Sequence, residues 1–155
     1  MGTEATKTKR IWPEATRALL KGSGIDIGCG PDPILPNVDR FDQEQGDANE
    51  ITRHVQKQYD FVFSSHTLEH MRDPVKALQE WVQLLKPGGH AVVLVPDEDL
   101  YEQGCWPSVF NSDHKWTFTL HKAKSWSPKS VNVTQLALLI PGTELIAFEL
   151  QDHGY

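Results

Sequence analysis

Two glycines placed one residue apart, directly after a short apolar run, are the residues of this chain best suited to chemistry. Gly28-Cys29-Gly30 follows Ile25-Asp26-Ile27 with no gradual exit from the strand those residues predict. Lacking a Cβ, both glycines let the backbone turn sharply and bring its amides against a ligand. Asp26, two positions before the first glycine, suits a ligand carrying positive charge there, such as an ammonium. A second acidic strand, Asn37-Val38-Asp39, comes next. A strand ending in a glycine turn is where open α/β sheets bind nucleotides and related cofactors. His66 and His70 stand four apart, a spacing that also suits a metal pair. No third ligand is evident nearby, so no metal is expected. His114, within Asp113-His114-Lys115-Trp116, could act as a general base near neutral pH, with Trp106 or Trp116 as a wall. The acids Asp97, Glu98, Asp99 and Glu102 read as a solvated loop, with substrate contact as the alternative. The neighbours of Cys29 suit packing rather than nucleophilic work.

The elements that must position these groups can be read from periodicity and punctuation. Residues 1–10 read as a mobile tail and Pro13 to Lys21 as a short helix ended by Gly22-Ser23-Gly24. Strands are expected at 25–28, 37–41, 59–64 and 90–95, and a short helix at 51–58. The clearest helix starts at Asp73-Pro74, carries Val75, Leu78, Val82 and Leu85 on one face, and stops at Lys86-Pro87-Gly88-Gly89. Strand, helix, glycine turn, strand makes a βαβ unit, so the sheet must be at least partly parallel. Residues 97–128 are polar, aromatic and rich in turn formers, which suits a lid or a substrate-facing insertion. A helix at 132–139 and a final strand at 144–150 complete the reading.

Composition narrows the class. At 155 residues the chain holds one domain with a real core, and 39% hydrophobic with 23% charged residues suits a soluble globular protein. A formal charge of −6 without a Lys/Arg stripe argues against a nucleic-acid partner. Two distant cysteines indicate neither a disulfide framework nor a thiolate zinc site. Nothing resembles a signal peptide or a membrane span, which makes a cytoplasmic location the expectation.

The ordered motifs together resemble class I S-adenosylmethionine-dependent methyltransferases, near the small type-11 group. The resemblance runs from Trp12 to Pro96 and more loosely to Leu150. It rests on Asp26-Ile27-Gly28-Cys29-Gly30, Asp39, Gly46-Asp47-Ala48, Ser64-Ser65-His66-Thr67-Leu68-Glu69-His70 and Leu85-Lys86-Pro87-Gly88-Gly89. What it implies is an abbreviated Rossmann-like α/β fold with a mostly parallel central sheet flanked by helices. The implied cofactor is S-adenosyl-L-methionine, held by Asp26, Gly28, Cys29, Gly30, Asp39, Asp47, Ala48, Ser64, Ser65 and His66. In that scheme Asp39 accepts from the ribose hydroxyls, Asp47 beside Ala48 takes the adenine amino group, and carbonyls near Gly28 and Ser64 meet the ammonium. His66 lines the cofactor pocket and His70 is structural.

Two departures from the family qualify those expectations. About nine residues separate strands one and two, and Pro31, Pro33 and Pro36 lie among them, where the family has a full helix. Nine extended residues span roughly 30 Å, enough for a return by loop alone. One closing strand is visible where the family has two, and an unfilled sheet edge would favour a homo-oligomer. The implied function is methyl transfer to a small-molecule, glycan or lipid-linked acceptor. The alternative is a non-catalytic member of the fold, serving as partner subunit or cofactor sensor. A nicotinamide oxidoreductase ranks lower, because Asp32-Pro33 follows Gly30 where a third glycine would be needed.

Overall fold

The computed structural model of the protein describes residues 4–153. Four parallel strands form its centre: β1 (Gly24–Ile27), β2 (Asp39–Phe41), β3 (Tyr59–Ser65) and β4 (Leu85–Leu94), in the spatial order β2-β1-β3-β4. Alternation along the strands divides the core between the two faces. Ile25, Ile27, Tyr59 and Val62 meet Ile51, Leu68, Ala77, Trp81 and Leu84 on one side. Phe61 and Phe63 meet Trp12, Leu20 and Ile34 on the other. Full burial of each such side chain contributes about 1.5–3 kcal/mol.

The first face is covered by helix α3 (Pro74–Val82). The Asp73 carboxylate accepts from the amides of Val75 and Lys76 at 3.0 and 3.1 Å, which caps the helix. Trp81, fully buried, donates its indole N–H to the Ala48 carbonyl at 2.8 Å. That bond ties α3 to a 3-10 stretch, Ala48–Arg53, which stands where a helix at 51–58 was expected. The helix ends before Leu85, and the Lys86-to-Gly89 turn bulges from β4, so that pairing jumps from Tyr59–Leu85 to Phe61–His90.

On the second face the usual crossover helix is absent, as the prolines implied. Its place is taken from two directions. Ile34, inside the crossover, is fully buried, and its amide donates to the Asp26 carboxyl at 2.6 Å. Helices α1 (Glu4–Ile11) and α2 (Glu14–Ala18) precede the sheet and bring Trp12 edge-on to Phe63, with ring centroids 5.6 Å apart. This corrects the expected tail at 1–10: residues 4–10 lie in α1, and residues 1–3 fall outside the described residues. The correction has a physical basis in contacts no local pattern reveals. The Thr6 amide donates to Asp32 at 2.8 Å, and the Lys9 ammonium donates to the Pro33 carbonyl at 3.1 Å.

After β4 the chain forms a second, two-stranded parallel pair, β5 (Thr117–Thr119) and β6 (Ser130–Asn132). Phe118 enters the first-face core, and Asp97 bridges to it. Glu98, expected in a solvated loop, is fully buried. It accepts from Ser125 at 2.7 Å, Ser130 at 2.5 Å and Lys122 at 3.1 Å. Burial alone would raise its carboxyl, but those donors bring it below the usual value. Helix α4 (Val133–Leu138) forms where expected, capped by Asn132. The strand expected at 144–150 does not form. Strands need a partner, and no described residue pairs with this segment, whose Ile146 and Phe148 are exposed.

Asp26 makes this scaffold pH-sensitive. Burial pushes its carboxyl up from 3.8 to about 7, only partly opposed by the Ile34 hydrogen bond. Between those values the folded chain holds a proton that the unfolded chain has lost. Stability therefore falls as pH rises across that window, by about 1.4 kcal/mol per pH unit, and levels off above it. Asp26→Asn keeps an acceptor for Ile34 and should flatten the profile. Urea unfolding of both proteins from pH 5 to pH 8 checks this; parallel profiles would contradict it.

Candidate active site

Parallel strands bring their C-terminal ends to one edge of the sheet, and the glycine turn lies there. Ile27 is in register with Phe41 of β2 and with Ser64 of β3. Gly28 adopts φ +75 and donates its amide to the Phe41 carbonyl at 2.7 Å. A Cβ on it would lie 1.9 Å from Thr67 Oγ1. Its lack of a side chain therefore serves the packing of β1 against the turn after β3. Gly30 differs. With φ +51 it too is left-handed, but a Cβ there would meet no described atom within 4 Å. The space over Gly30 is open.

The groups of the glycine corner and of the adjoining end of β3 are defined. The Gly30 amide donates to Asp42 Oδ2 at 2.7 Å, and the Arg40 guanidinium donates to the Gly30 carbonyl. Ser64 is buried and gives its hydroxyl to the Ile27 carbonyl at 2.9 Å. Ser65 Oγ is buried with no hydrogen-bond partner among the described residues. Cys29 is half-buried; burial, its largest influence, pushes the thiol up, so it is not an activated thiolate.

Three expected cofactor ligands are each engaged by protein groups. Asp39 opens β2 opposite Ile25, two residues short of the edge. Its carboxylate accepts from Lys57 and the Tyr59 hydroxyl, both at 2.8 Å, and these hold it below the ordinary range. The acid at the edge is Asp42. The signal for it was Phe41, the buried residue facing Ile27, which shows that β2 continues past Asp39. Asp26 is 1% exposed and faces Ile34, so it props the turn from beneath. Asp47 caps the Ala48–Arg53 stretch through the amide of Asn49 at 2.8 Å and pairs with Arg72 at 2.8 Å. Its carboxyl is held at about 2, chiefly by Asn49. Ala48 is committed through its carbonyl to Trp81.

Beyond β3, His66 takes the left-handed conformation at φ +54, and Leu68–His70 form a single 3-10 turn. His66 and His70 are therefore not on one regular helix. His114 comes to them across the fold and is no free loop base. Its ring is 2% exposed, with Nδ1 2.6 Å from Glu102 Oε1 and Nε2 3.8 Å from Glu69 Oε1. Carboxylates thus face both ring nitrogens. Tyr101 stacks beside it at 5.0 Å and reaches Phe110, which is exposed. Sequence spacing could not reveal this meeting, since 44 residues separate His70 from His114.

The sequence pattern of the family described as a methyltransferase domain matches residues 5–131. The chain belongs to that family. Among curated proteins no sequence matches it. As a methyltransferase domain it carries the S-adenosylmethionine-dependent transferase fold, whose parallel sheet and glycine corner are those described above. The match begins within α1.

The two glycines should separate on substitution. Gly28→Ala must displace Thr67 and hold a left-handed alanine, a loss on the order of 3 kcal/mol. Gly30→Ala carries only the backbone penalty, about 1–2 kcal/mol. Urea denaturation of the two variants measures the difference, and equal losses would show that Thr67 yields without strain.

Proposed function

We propose that the protein binds S-adenosyl-L-methionine over the glycine corner and transfers its methyl group to a small-molecule, glycan or lipid-linked acceptor. The observation that supports this most directly is the open space above Gly30, with the Asp42 carboxylate on the amide of that glycine. The donor set fits the cofactor. The Asp42 carboxylate takes the amides of Gly30 and Gln43 and keeps acceptor capacity for ribose hydroxyls. Arg40 lies close enough to the corner to exchange the Gly30 carbonyl for the methionine carboxylate. Asp47 with Asn49 offers carboxylate and amide oxygens as acceptors toward the adenine amino group.

When bound, the cofactor supplies a methyl group already activated by a sulfonium. Placement of the acceptor is then the main task left to the protein. Tyr101, beside His66 and Phe110, gives a ring face next to the corner. Exposed Val109 and Phe110 extend it. Such a wall suits a sugar or aromatic ring, or the apolar part of a lipid-linked acceptor. No helix among the described residues is long and apolar enough to cross a membrane.

Calorimetric titration with S-adenosylmethionine and S-adenosylhomocysteine tests the reading. Both should bind, and Asp42→Ala should weaken binding at least about tenfold, a loss of roughly 1.4 kcal/mol. Asp39→Ala should leave it nearly unchanged. No binding of either ligand at millimolar concentration would end the proposal, and weakening by Asp39→Ala alone would return the ribose to Asp39.

A further inference from the structure

Glu69 is hard to account for as a structural residue. Its side chain is fully buried, and neither carboxylate oxygen has a hydrogen-bond partner among the described residues. Buried carboxylates are retained when paired, hydrogen-bonded or bound to metal. Three imidazole nitrogens surround Oε1: His66 Nδ1 at 3.6 Å, His114 Nε2 at 3.8 Å and His70 Nε2 at 3.9 Å. These separations are too long for hydrogen bonds. They do suit ligands of a shared ion. At tetrahedral angles two atoms each about 2.0–2.2 Å from one metal stand roughly 3.3–3.6 Å apart, so a closure of a few tenths of an ångström would seat one. One ligand atom from each of Glu69, His70 and His114 lies within 4.8 Å of the others.

The far sides of the rings carry the argument further. His114 Nδ1 faces Glu102 at 2.6 Å, and His70 Nδ1 faces Asp113 at 2.9 Å. A carboxylate at Nδ1 fixes the proton there and turns the Nε2 lone pair inward, which is how metal-binding histidines are oriented. Two histidines from distant parts of the chain share this arrangement and point at the same carboxylate. If the rings served only as ion-pair partners of Glu69, Oε1 would close on one of them, as Glu102 does on His114. The backbone holds the set together. The amides of Lys115 and Trp116 donate to the Glu69 carbonyl at 2.9 and 3.2 Å, and Lys115 Nζ donates to the His70 carbonyl at 2.7 Å.

We propose that Glu69, His70 and His114 form a binding site for one divalent first-row metal ion, with Glu102 and Asp113 as the orienting carboxylates. Two imidazoles and one carboxylate favour zinc, with cobalt and nickel as close substitutes. Glu69 and His114 are sealed, whereas His66 and His70 are 27% and 23% exposed, so the ion arrives from their side. The site adjoins the glycine corner, because Thr67, between His66 and Glu69, occupies the space next to Gly28. Its three ligands are not among the residues assigned to the cofactor, and it stands or falls separately from that reading.

The test uses the full chain without an added histidine tag, stripped with a chelator and titrated with zinc chloride against a chromophoric competitor. One ion should bind per chain, and cobalt(II) should give visible bands of an imidazole-ligated centre. His70→Ala should lower zinc affinity more than about 100-fold, and Asp113→Asn, which does not touch the ion, by roughly 10–100-fold. Zinc should raise the melting temperature of the parent chain. Glu69→Gln should melt higher than the stripped parent, because it removes a buried charge, and should not respond to zinc. Absence of one-to-one uptake of zinc and cobalt at about 100 times the protein concentration would overturn the proposal. So would unchanged affinity in His70→Ala and Asp113→Asn. Titration of the same stripped protein with S-adenosylmethionine reads the cofactor proposal independently.

Discussion

The hydrogen bond from the Ile34 amide to the buried Asp26 carboxyl is the constraint on which this fold turns. Parallel strands require the chain to return the length of the sheet, and relatives of this domain do so through a helix. Here the return is an extended, proline-rich segment with little hydrogen bonding of its own. Asp26 gives it an anchor beneath β1, and Ile34 is drawn into the second-face core as a consequence. With that segment pinned, β2 falls into register and Phe41 reaches the amide of Gly28. Asp42 follows and reaches Gly30. The acid thus acts on the site by placing its neighbours, and its own oxygens never face the open space.

Covering the second face without a crossover helix puts unusual weight on the start of the chain. Trp12 and Leu20 come from before β1, yet they pack against Phe61 and Phe63 in the sheet centre. The α1 helix bonds to Asp32 and Pro33 in the very segment that replaced the helix. On the first face a similar economy applies after β4. Phe118 completes the core, while the buried Glu98 collects three hydroxyls and a lysine from 117–130. Its full set of donors contrasts with Glu69, a few ångströms from three imidazoles and bonded to none.

Much of this was legible in the sequence, for reasons that can be named. β1, β3 and α3 are continuous apolar or periodic runs bounded by Gly24, Asp73-Pro74 and Gly88-Gly89, so local chemistry alone places them. Gly28 and Gly30 were readable as left-handed positions because no other residue adopts that conformation cheaply. Local pattern falls short where distant partners decide. The α1 helix is held by Asp32, and the alternating run 144–150 has no strand to pair with among the described residues. Asp39 and Asp42 differ only in register, which the parallel pairing with β1 sets. His114 was singled out by residue type, but its role depends on Glu69, Glu102 and His70, none of which is a sequence neighbour. The same lack of a local signal hid the approach of His114 to His70.

The interlock of Gly28 with Thr67 joins the two halves of the site mechanically. The Thr67 hydroxyl lies 3.2 Å from the Ile27 carbonyl, and its side chain fills the volume that any larger residue at position 28 would need. The glycine turn and the His66-to-His70 turn are therefore one shape, divided between two strands. A descendant of this chain could enlarge residue 28 only by shrinking residue 67, so the two positions are expected to change as a pair or stay as they are. Displacement of the histidine turn, by whatever it comes to hold, would be felt at the backbone of the glycine corner without any intermediary.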